Sequence, residues 1–432
     1  MNLYQQEYKN KLVTLEEALD SLRDGDIIAT SQCAGEPTAF FDAMHTLRGK
    51  GKKYRMFAPM CFQPHEFMSN PIYQDTFDMD ITFLMGATRE GREGGLFNFY
   101  PSDLHNGPDR WIEVNGCTVF IAAVTPMDRH GYFQMPLCLI HERTFMEAAD
   151  RIILQVNPNL PRVYGDTEIH IRDVDMIVEA ATPLPILPKS APTELEKTIG
   201  GYISTLVNDG DCIQLGIGGI PDAAAMALMD KKDLGVHSEM LTNSMVDLVE
   251  AGVITGRKKN LYPGKMVGTF AYGEQRLYDM IDENPGVLLL RGDTVNDPQV
   301  VGSNDNFVSI NACLSVELTG QICSETIGSR QYSGSGGQAD MAIGAAHSKN
   351  GRNIIATAST KAGGTISTIT AQLEKGSIVT LGRNQVDYVV TEYGIAPLRG
   401  RSVRQRVENL IAVAHPDFRA QLREEANALK LW

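Results

Sequence analysis

A lone carboxylate and two glycine-rich segments are the residues of this sequence best placed to do chemistry. Glu239 ends a short β-type run and follows residues 216–221 by about twenty positions. A tight glycine turn that leads into a helix offers backbone N–H groups able to bind an anion. A second glycine segment, 333–340, begins about a hundred residues farther on. This combination favours an enzyme in which a glutamate attacks beside groups that stabilise negative charge.

Each of these features also has an ordinary structural explanation. A strand-end glutamate is usually a surface residue, and glycines often only permit tight turns. The apolar neighbours Val236 and Met240 place Glu239 at the edge of a core, where partial burial raises a carboxylate pKa and removes water from the nucleophile. An N–H group in the second loop can stabilise an oxyanion by about 3 kcal/mol.

Composition bounds the class of protein. The chain has 432 residues, 43% of them hydrophobic, and a net charge of −14. This length predicts two domains, and the charge argues against nucleic-acid or anionic-membrane partners. We expect a cytoplasmic protein, since the N-terminus lacks a basic and apolar leader, no apolar run is long enough to span a membrane, and the seven scattered cysteines are typical of reduced thiols.

The sequence lacks the motifs of several other catalytic classes. The nine histidines show no H-x-x-x-H or H-E-x-x-H spacing, so we predict no metal. No G-x-S-x-G elbow is present, which excludes the usual serine hydrolase. The first glycine loop breaks the G-x-G-x-x-G dinucleotide fingerprint at Pro221, which we expect at the first helical position instead.

The two halves of the chain echo each other. An Asp-Gly-Asp step at Asp24 and again at Asp209 precedes a predicted strand and a Gly-x-Pro helix start. Buried strand patterns that end in an acid recur at 174–179 and 386–392. Strands alternate with helices, which predicts two related α/β domains, each an open, largely parallel sheet flanked by helices. Four prolines within 182–192 mark the boundary, so we predict domains over 1–182 and 193–432.

At this point the sequence resembles the class I CoA-transferases of the acetyl-CoA hydrolase/transferase family, and within it the 4-hydroxybutyrate and butyryl-CoA:acetate CoA-transferases. The resemblance covers nearly the whole chain. The segments that carry it are 128–132, 164–166, 216–221, 237–240, 318–321, 330–334, 336–338 and 391–400.

The resemblance implies a role for each candidate residue. Glu239 would be the nucleophile that carries a glutamyl-CoA thioester, the Gly337 amide would stabilise the oxyanion, and Asn296 and Glu392 would be polar partners of the nucleophile. Residues implied to enclose CoA and the acyl group are Gly216, Gly218, Gly219, Ile220, Pro221, Gly334, Gly336 and Gln338.

We therefore predict ping-pong transfer of CoA between a short-chain acyl-CoA and a small carboxylate such as acetate, butyrate or 4-hydroxybutyrate. The resemblance implies no permanently bound cofactor, coenzyme A as a substrate, and a homo-oligomer, either a dimer or a tetramer. Two alternatives stay open: an acyl-CoA hydrolase that uses the same site, and a non-catalytic CoA-binding protein.

Overall fold

The fold is described from a computed structural model that covers residues 3–432, with Ala87 described by its backbone alone. Met1 and Asn2 lie outside the described residues. The predicted first domain and the predicted absence of a leader both include these two residues. Among the helices built from residues 3–432, none has the length and apolar character needed to cross a bilayer.

Two compact units divide the chain. The first comprises Met1–Pro188 and Val267–Val295, and the second comprises Lys189–Met266 and Asn296–Trp432. The boundary between domains at 1–182 and 193–432 stays a prediction. The two compact units differ from this predicted division at residues 267–295, which pack with the first unit.

The first unit is built on a seven-stranded sheet in which every neighbouring pair is parallel. Its strands in chain order are β1 (Ile27–Thr30), β2 (Tyr54–Phe57), β3 (Phe77–Ile81), β4 (Phe97–Phe99), β5 (Val119–Val124), β6 (Arg151–Val156) and β7 (Met176–Glu179). The spatial order is β4-β3-β2-β1-β5-β6-β7, so β1 lies between β2 and β5. All six side chains of β5 are buried, as expected for a parallel sheet covered on both faces.

The second unit contains a six-stranded sheet of the same kind. Its strands are β8 (Cys212–Leu215), β9 (Gly235–Val236), β10 (Phe307–Ala312), β11 (Arg352–Ala356), β12 (Tyr388–Thr391) and β13 (Gly394–Pro397). They lie in the order β9-β8-β10-β11-β12-β13, and β13 alone is antiparallel to its neighbour. As in the first sheet, the first strand in the chain lies between the second strand and a later one. The predicted fold class is confirmed.

Helices cover these sheets. They are α1 (Leu3–Lys11), α2 (Leu15–Asp20), α3 (Thr38–Ala43), α4 (Glu66–Ser69), α5 (Gly86–Glu93), α6 (Gly107–Asn115), α7 (Glu142–Ala148), α8 (Glu194–Ser204), α9 (Gly219–Met226), α10 (Asn243–Glu250), α11 (Gln275–Ile281), α12 (Gly292–Val295), α13 (Pro298–Gly302), α14 (Gln338–His347), α15 (Val403–Val413) and α16 (Pro416–Ala428). Short strands outside the two sheets are Tyr132–Gln134, Glu168–His170, Met240–Leu241, Met266–Gly268, Phe270–Ala271, Val287–Leu289, Ser315–Glu317, Ile322–Cys323, Thr326–Ile327, Arg330–Gln331, Thr360–Lys361, Ile366–Ser367 and Ile369–Thr370.

Each unit has its own hydrophobic core. In the first unit, buried side chains of β2 and β3 such as Met56 and Met79 pack with Phe40 of α3. In the second unit, Val389 of β12 packs with Leu410 of α15. Burying one such side chain stabilises the fold by about 2 kcal/mol, so each sheet is a rigid support for the loops at its edges.

Candidate active site

The strand ends of the second sheet bring Glu239 beside the first glycine loop. β8 ends at Leu215, and its neighbour β9 ends at Val236, three residues before Glu239. The Ser238 hydroxyl donates to the carbonyl oxygen of Leu215 at 3.5 Å, so the two segments stay adjacent beyond the paired strands. The carboxyl ends of parallel strands share one edge of the sheet, where ligands bind in open α/β folds. Glu239 and residues 216–221 therefore lie at the same edge.

A buried lysine fixes the end of β9. Lys259 donates from Nζ to the carbonyl oxygens of Val236 at 2.7 Å and Lys265 at 2.9 Å. Burial lowers the pKa of Lys259 to about 8. Sequence reasoning missed this positioning residue, because a lysine in a loop is ordinarily exposed.

Two groups from distant parts of the chain bind the carboxylate of Glu239. Asn296 donates from Nδ2 to Oε2 at 3.3 Å, and the backbone N–H of Gly337 also donates to this carboxylate. Gly337 is the N-cap of α14, so the positive end of that helix faces Glu239. Asn296 directly precedes the N-cap of α13, which packs against α14 through Val301. The structure thus brings together three of the four predicted catalytic residues.

The environment of Glu239 tunes its acidity. Burial raises the pKa of Glu239 to about 7, and the charge of Asp340 adds to the rise. The hydrogen bonds from Asn296 and Gly337 favour the charged form and oppose the shift. Near neutral pH a large fraction of the carboxylate is therefore ionised while poorly hydrated, which suits a nucleophile.

Asp340 is a further residue that sequence reasoning missed. It lies in the first turn of α14 and is only 1% exposed. The position of Asp340 in the sequence was a usable signal. It lies three residues after Gly337, so it falls in the first turn of a helix that begins after this glycine. Its charge acts on Glu239 through the pKa shift described above.

Gly337 is required at its position for a steric reason. A Cβ atom there would lie 2.0 Å from Oε2 of Glu239 and 2.2 Å from Nδ2 of Asn296. Its φ of −89° is accessible to any residue, so the requirement is space and not backbone conformation. Only glycine allows the backbone, the carboxylate and the amide to meet here.

The second glycine loop is anchored at both ends. Ser333 donates from its hydroxyl to the carbonyl oxygen of Ser324 at 3.2 Å. At the other end, Gln338 donates from Nε2 to the carbonyl oxygen of Ala312 at 2.8 Å and accepts from the Ser324 hydroxyl at 2.6 Å. Gln338, predicted to bind CoA, thus uses its side-chain amide to hold the loop.

The glycines between these anchors give the loop its path. Gly336 has a φ of +50°, in the left-handed region that favours glycine, and Gly334 follows the Ser333 anchor. The anchors and this turn fix the direction of the Gly337 N–H. The segment is therefore a positioned donor and not a loose connection.

The first glycine loop runs from β8 directly into α9. Gly218 has a φ of +113° and is the N-cap of that helix, which begins at Gly219. The prediction that Pro221 occupies the first helical position is wrong, since it is the third residue of α9. Proline fits there because the N–H groups of a first helical turn have no intrahelical acceptor.

The remaining members of this loop differ in what surrounds them. A Cβ on Gly219 would lie 1.9 Å from a carboxylate oxygen of Glu196, so glycine is needed there for the packing of α8 on α9. A Cβ on Gly216 would make only ordinary contacts, the nearest at 3.5 Å. Ile220 is half-buried and Gly218 is exposed. Their predicted contact with CoA stays a prediction.

Glu392 has a different partner from the one predicted. Its Oε2 accepts from the backbone N–H of Ser359 at 2.9 Å, and its Oε1 accepts from the Ser359 hydroxyl. Both oxygens are thus engaged by the segment after β11 and not by Glu239, because β12 ends beside β11. A role for Glu392 in the reaction stays a prediction.

Comparison with known proteins identifies the family of this chain. The model of the acetyl-CoA hydrolase/transferase N-terminal domain matches residues 1–188, and the model of the C-terminal domain matches residues 273–426. The succinyl-CoA:cyclohexane-1-carboxylate CoA transferase of Geobacter metallireducens is 42% identical, over 99% of this chain and 97% of that protein. The 4-hydroxybutyrate coenzyme A transferase of Clostridium kluyveri is 40% identical, over 97% of each.

A solved structure extends the comparison to three dimensions. RipA from Yersinia pestis superimposes with a TM-score of 0.93 at 36% identity, over the whole of both chains. The similarity spans both sheets and the edge that carries Glu239. The chain therefore belongs to the acetyl-CoA hydrolase/transferase family and is a CoA-transferase.

Proposed function

We propose that this enzyme transfers CoA between a short-chain acyl-CoA and a small carboxylate by a ping-pong mechanism in which Glu239 becomes a glutamyl-CoA thioester. The observation that carries the proposal is the placement of the Glu239 carboxylate against the Gly337 N–H and the Asn296 amide. A carboxylate held this way can attack a thioester, and the same donors can stabilise the oxyanions that follow.

The first half-reaction loads CoA onto the enzyme. An oxygen of Glu239 attacks the thioester carbonyl carbon, and the CoA thiolate leaves to give an acyl-glutamyl anhydride. The thiolate then attacks the glutamyl carbonyl carbon, and the acyl group departs as its free carboxylate. The Gly337 N–H faces the glutamyl oxygen and would stabilise the oxyanion of this second step by about 3 kcal/mol.

The second half-reaction runs the same steps in reverse with the acceptor acid. The acceptor carboxylate attacks the glutamyl thioester, CoA leaves as a thiolate, and that thiolate attacks the acyl carbonyl of the new anhydride. Glu239 is regenerated as a carboxylate and the new acyl-CoA is released. Every step is an acyl transfer, so the reaction needs a nucleophile and oxyanion donors, and coenzyme A enters as a substrate.

The substrate assignment is supported by the relatives. One similar protein is named for 4-hydroxybutyrate, and another for succinyl-CoA and cyclohexane-1-carboxylate. We infer a small carboxylate such as acetate, butyrate or 4-hydroxybutyrate as the acceptor, with the loops at Gly218 and Gly336 next to CoA. We also infer a cytoplasmic homo-oligomer, a dimer or a tetramer, that acts without nucleic-acid or membrane partners.

A trapping experiment tests the mechanism. The enzyme is incubated with acyl-CoA alone and then treated with borohydride, which reduces a glutamyl thioester to an alcohol. Peptide mass spectrometry should find the modification on Glu239 and nowhere else. A modified residue elsewhere would contradict the proposal. So would transfer of CoA from donor to acceptor with no CoA bound covalently to the enzyme.

An acceptor panel separates transfer from the alternatives. Acetate, propionate, butyrate, 4-hydroxybutyrate, succinate and itaconate are supplied in turn with one acyl-CoA donor. Acid-dependent formation of a new acyl-CoA supports transfer. Thiol release at equal rate without any acid identifies a hydrolase, and binding of CoA with no turnover across the panel identifies a non-catalytic protein.

A further inference from the structure

A second group of reactive side chains lies in the first unit, and none of its members takes part in the mechanism proposed above. Glu36, Cys61 and His65 are buried, with 3%, 1% and 5% of their surface exposed. One ligand atom from each lies within 4.8 Å of the others. A carboxylate, a thiol and an imidazole are all metal ligands, so this Glu36–Cys61–His65 cluster has the composition of a metal site.

The cluster forms where two strands of the first sheet end. Glu36 follows the turn after β1, and Cys61 and His65 follow β2. The carboxyl ends of these adjacent parallel strands share one edge, so their loops converge although Glu36 and Cys61 are 25 residues apart in the chain. This separation explains why no spacing motif in the sequence predicted a site.

The imidazole of His65 is oriented from outside the cluster. Its Nδ1 lies 3.2 Å from Oδ1 of Asp42 on α3, and its Nε2 lies 3.0 Å from Oε1 of Glu36. A histidine that donates from one ring nitrogen to a carboxylate presents the other nitrogen to a metal, a common arrangement around protein zinc. Asp42 therefore acts as a positioning residue for His65.

An independent observation points to a missing cation. Oε2 of Glu36 is buried and meets the geometry of a hydrogen bond with no group in the part of the chain that the structure describes, while the Cys61 thiol interacts with the same carboxylate. A buried carboxylate oxygen without a partner costs about 1–3 kcal/mol or more. A bound cation between Glu36, Cys61 and His65 would remove this cost.

We propose that Glu36, Cys61 and His65 bind a zinc ion, with water as the fourth ligand. Mixed N, O and S donors suit Zn²⁺, and its bond lengths place tetrahedral ligands roughly 3.3–3.6 Å apart. The 3.0 Å contact between Nε2 and Oε1 then opens slightly as the thiol sulfur moves in. Binding releases the thiol proton of Cys61 and any proton on Nε2 of His65 to solvent. The ion joins the loops after β1 and β2 and makes that edge rigid.

Metal analysis of the full chain tests the site. The protein is stripped with a chelator, equilibrated with zinc or cobalt salts, desalted and analysed by mass spectrometry for metal. We expect one zinc per chain, and a thiolate-to-cobalt charge-transfer band with Co²⁺. Cys61→Ser should abolish the band, while the control Cys117→Ser, another buried thiol, should keep it.

A variant at a surface residue separates weaker zinc binding from misfolding. The Asp42 side chain is 68% exposed, so Asp42→Asn should fold normally yet weaken zinc affinity by about 10–100-fold. Circular dichroism confirms the fold of each variant. Absence of zinc from the equilibrated wild-type protein, or equal zinc and an unchanged cobalt band in Cys61→Ser, would overturn the proposal.

Discussion

The two units of this protein use the same scaffold at one edge of the sheet and different chemistry at the other. In the first unit, Arg151 at the start of β6 pairs with Asp26 before β1 at 2.5 Å and donates to the carbonyl oxygen of Ser21. In the second unit, Arg352 at the start of β11 pairs with Asp211 before β8. Arg352 also donates from Nε to the backbone carbonyl oxygen of Leu206, which lies between α8 and β8.

Other anchors repeat with the same geometry. Asp175 before β7 accepts from the backbone N–H of Ile152 at 2.8 Å, and Asp387 before β12 accepts from that of Asn353 at 2.9 Å. All of these contacts lie at the amino ends of the strands. Matched side chains at matched positions support the two predicted repeats more strongly than the sequence echo does.

The carboxyl ends of the strands differ. Met56 and Val236 occupy equivalent positions in the strand pairing of the two sheets. Three residues later the first unit has Pro59, whereas the second has Glu239, the proposed nucleophile. The first unit instead carries the Glu36–Cys61–His65 cluster near this edge. The comparison teaches that one edge holds the fold together while the other is free to vary in chemistry.

The largest expected effect on activity comes from removing Glu239, the proposed nucleophile. Glu239→Gln should lower kcat by at least about 10⁴-fold, because a neutral amide cannot form the anhydride. The matched control is Glu179→Gln, a strand-end glutamate of the first sheet that is exposed. Steady-state transfer assays measure both, and substantial activity in Glu239→Gln would break the functional contrast between the two edges.

Closing the space at Gly337 should have the next largest effect. In Gly337→Ala the new methyl group would displace Glu239 and Asn296, so we expect kcat to fall by about 10²–10³-fold. Gly201→Ala is the control, because a Cβ there meets nothing within 4 Å and the position lies in the interior of α8. Unchanged kcat in Gly337→Ala, measured on folded protein, would remove this N–H from the mechanism.

The matched arginine–aspartate ion pairs of the two units should contribute equally to the free energy of unfolding. Arg151→Met and Arg352→Met each remove the ion-pair partner of a nearly buried aspartate, so each should lower the free energy of unfolding by about 3 kcal/mol. Arg404→Met is the control, since its ion pair with Glu408 is exposed and should contribute under about 1 kcal/mol. Urea unfolding measures all three, and a large difference between the first two would break the equivalence.

The smallest effect is a pH dependence. The pKa of Glu239 is raised to about 7, and only the ionised form attacks, so activity is present above this pKa and is lost as pH falls through it. kcat/KM for acyl-CoA should therefore fall about tenfold per pH unit below the pKa of the free enzyme. A profile that stays flat from pH 8 down to about 5 would show that the nucleophile ionises like an ordinary glutamate.

Local patterns accounted for much of the fold. Alternating strand and helix patterns and the Asp-Gly-Asp echo predicted parallel α/β sheets, and the motifs around Glu239 predicted the family. One local detail failed: Pro221 is the third residue of α9. A first helical turn tolerates proline at several positions, so the sequence pattern could not choose among them.

By itself, the sequence determined which residues were available for catalysis and on which kind of element each would lie, because hydrophobic periodicity and turn chemistry act over a few residues. Tertiary structure decided which of them meet. Asn296 lies 57 residues from Glu239, and Gly337 lies farther still, yet both reach its carboxylate. Glu392 binds Ser359 instead. Such meetings, and the burial that raises the pKa of Glu239, depend on how parallel strands are ordered and how helices pack on them, which no local pattern specifies.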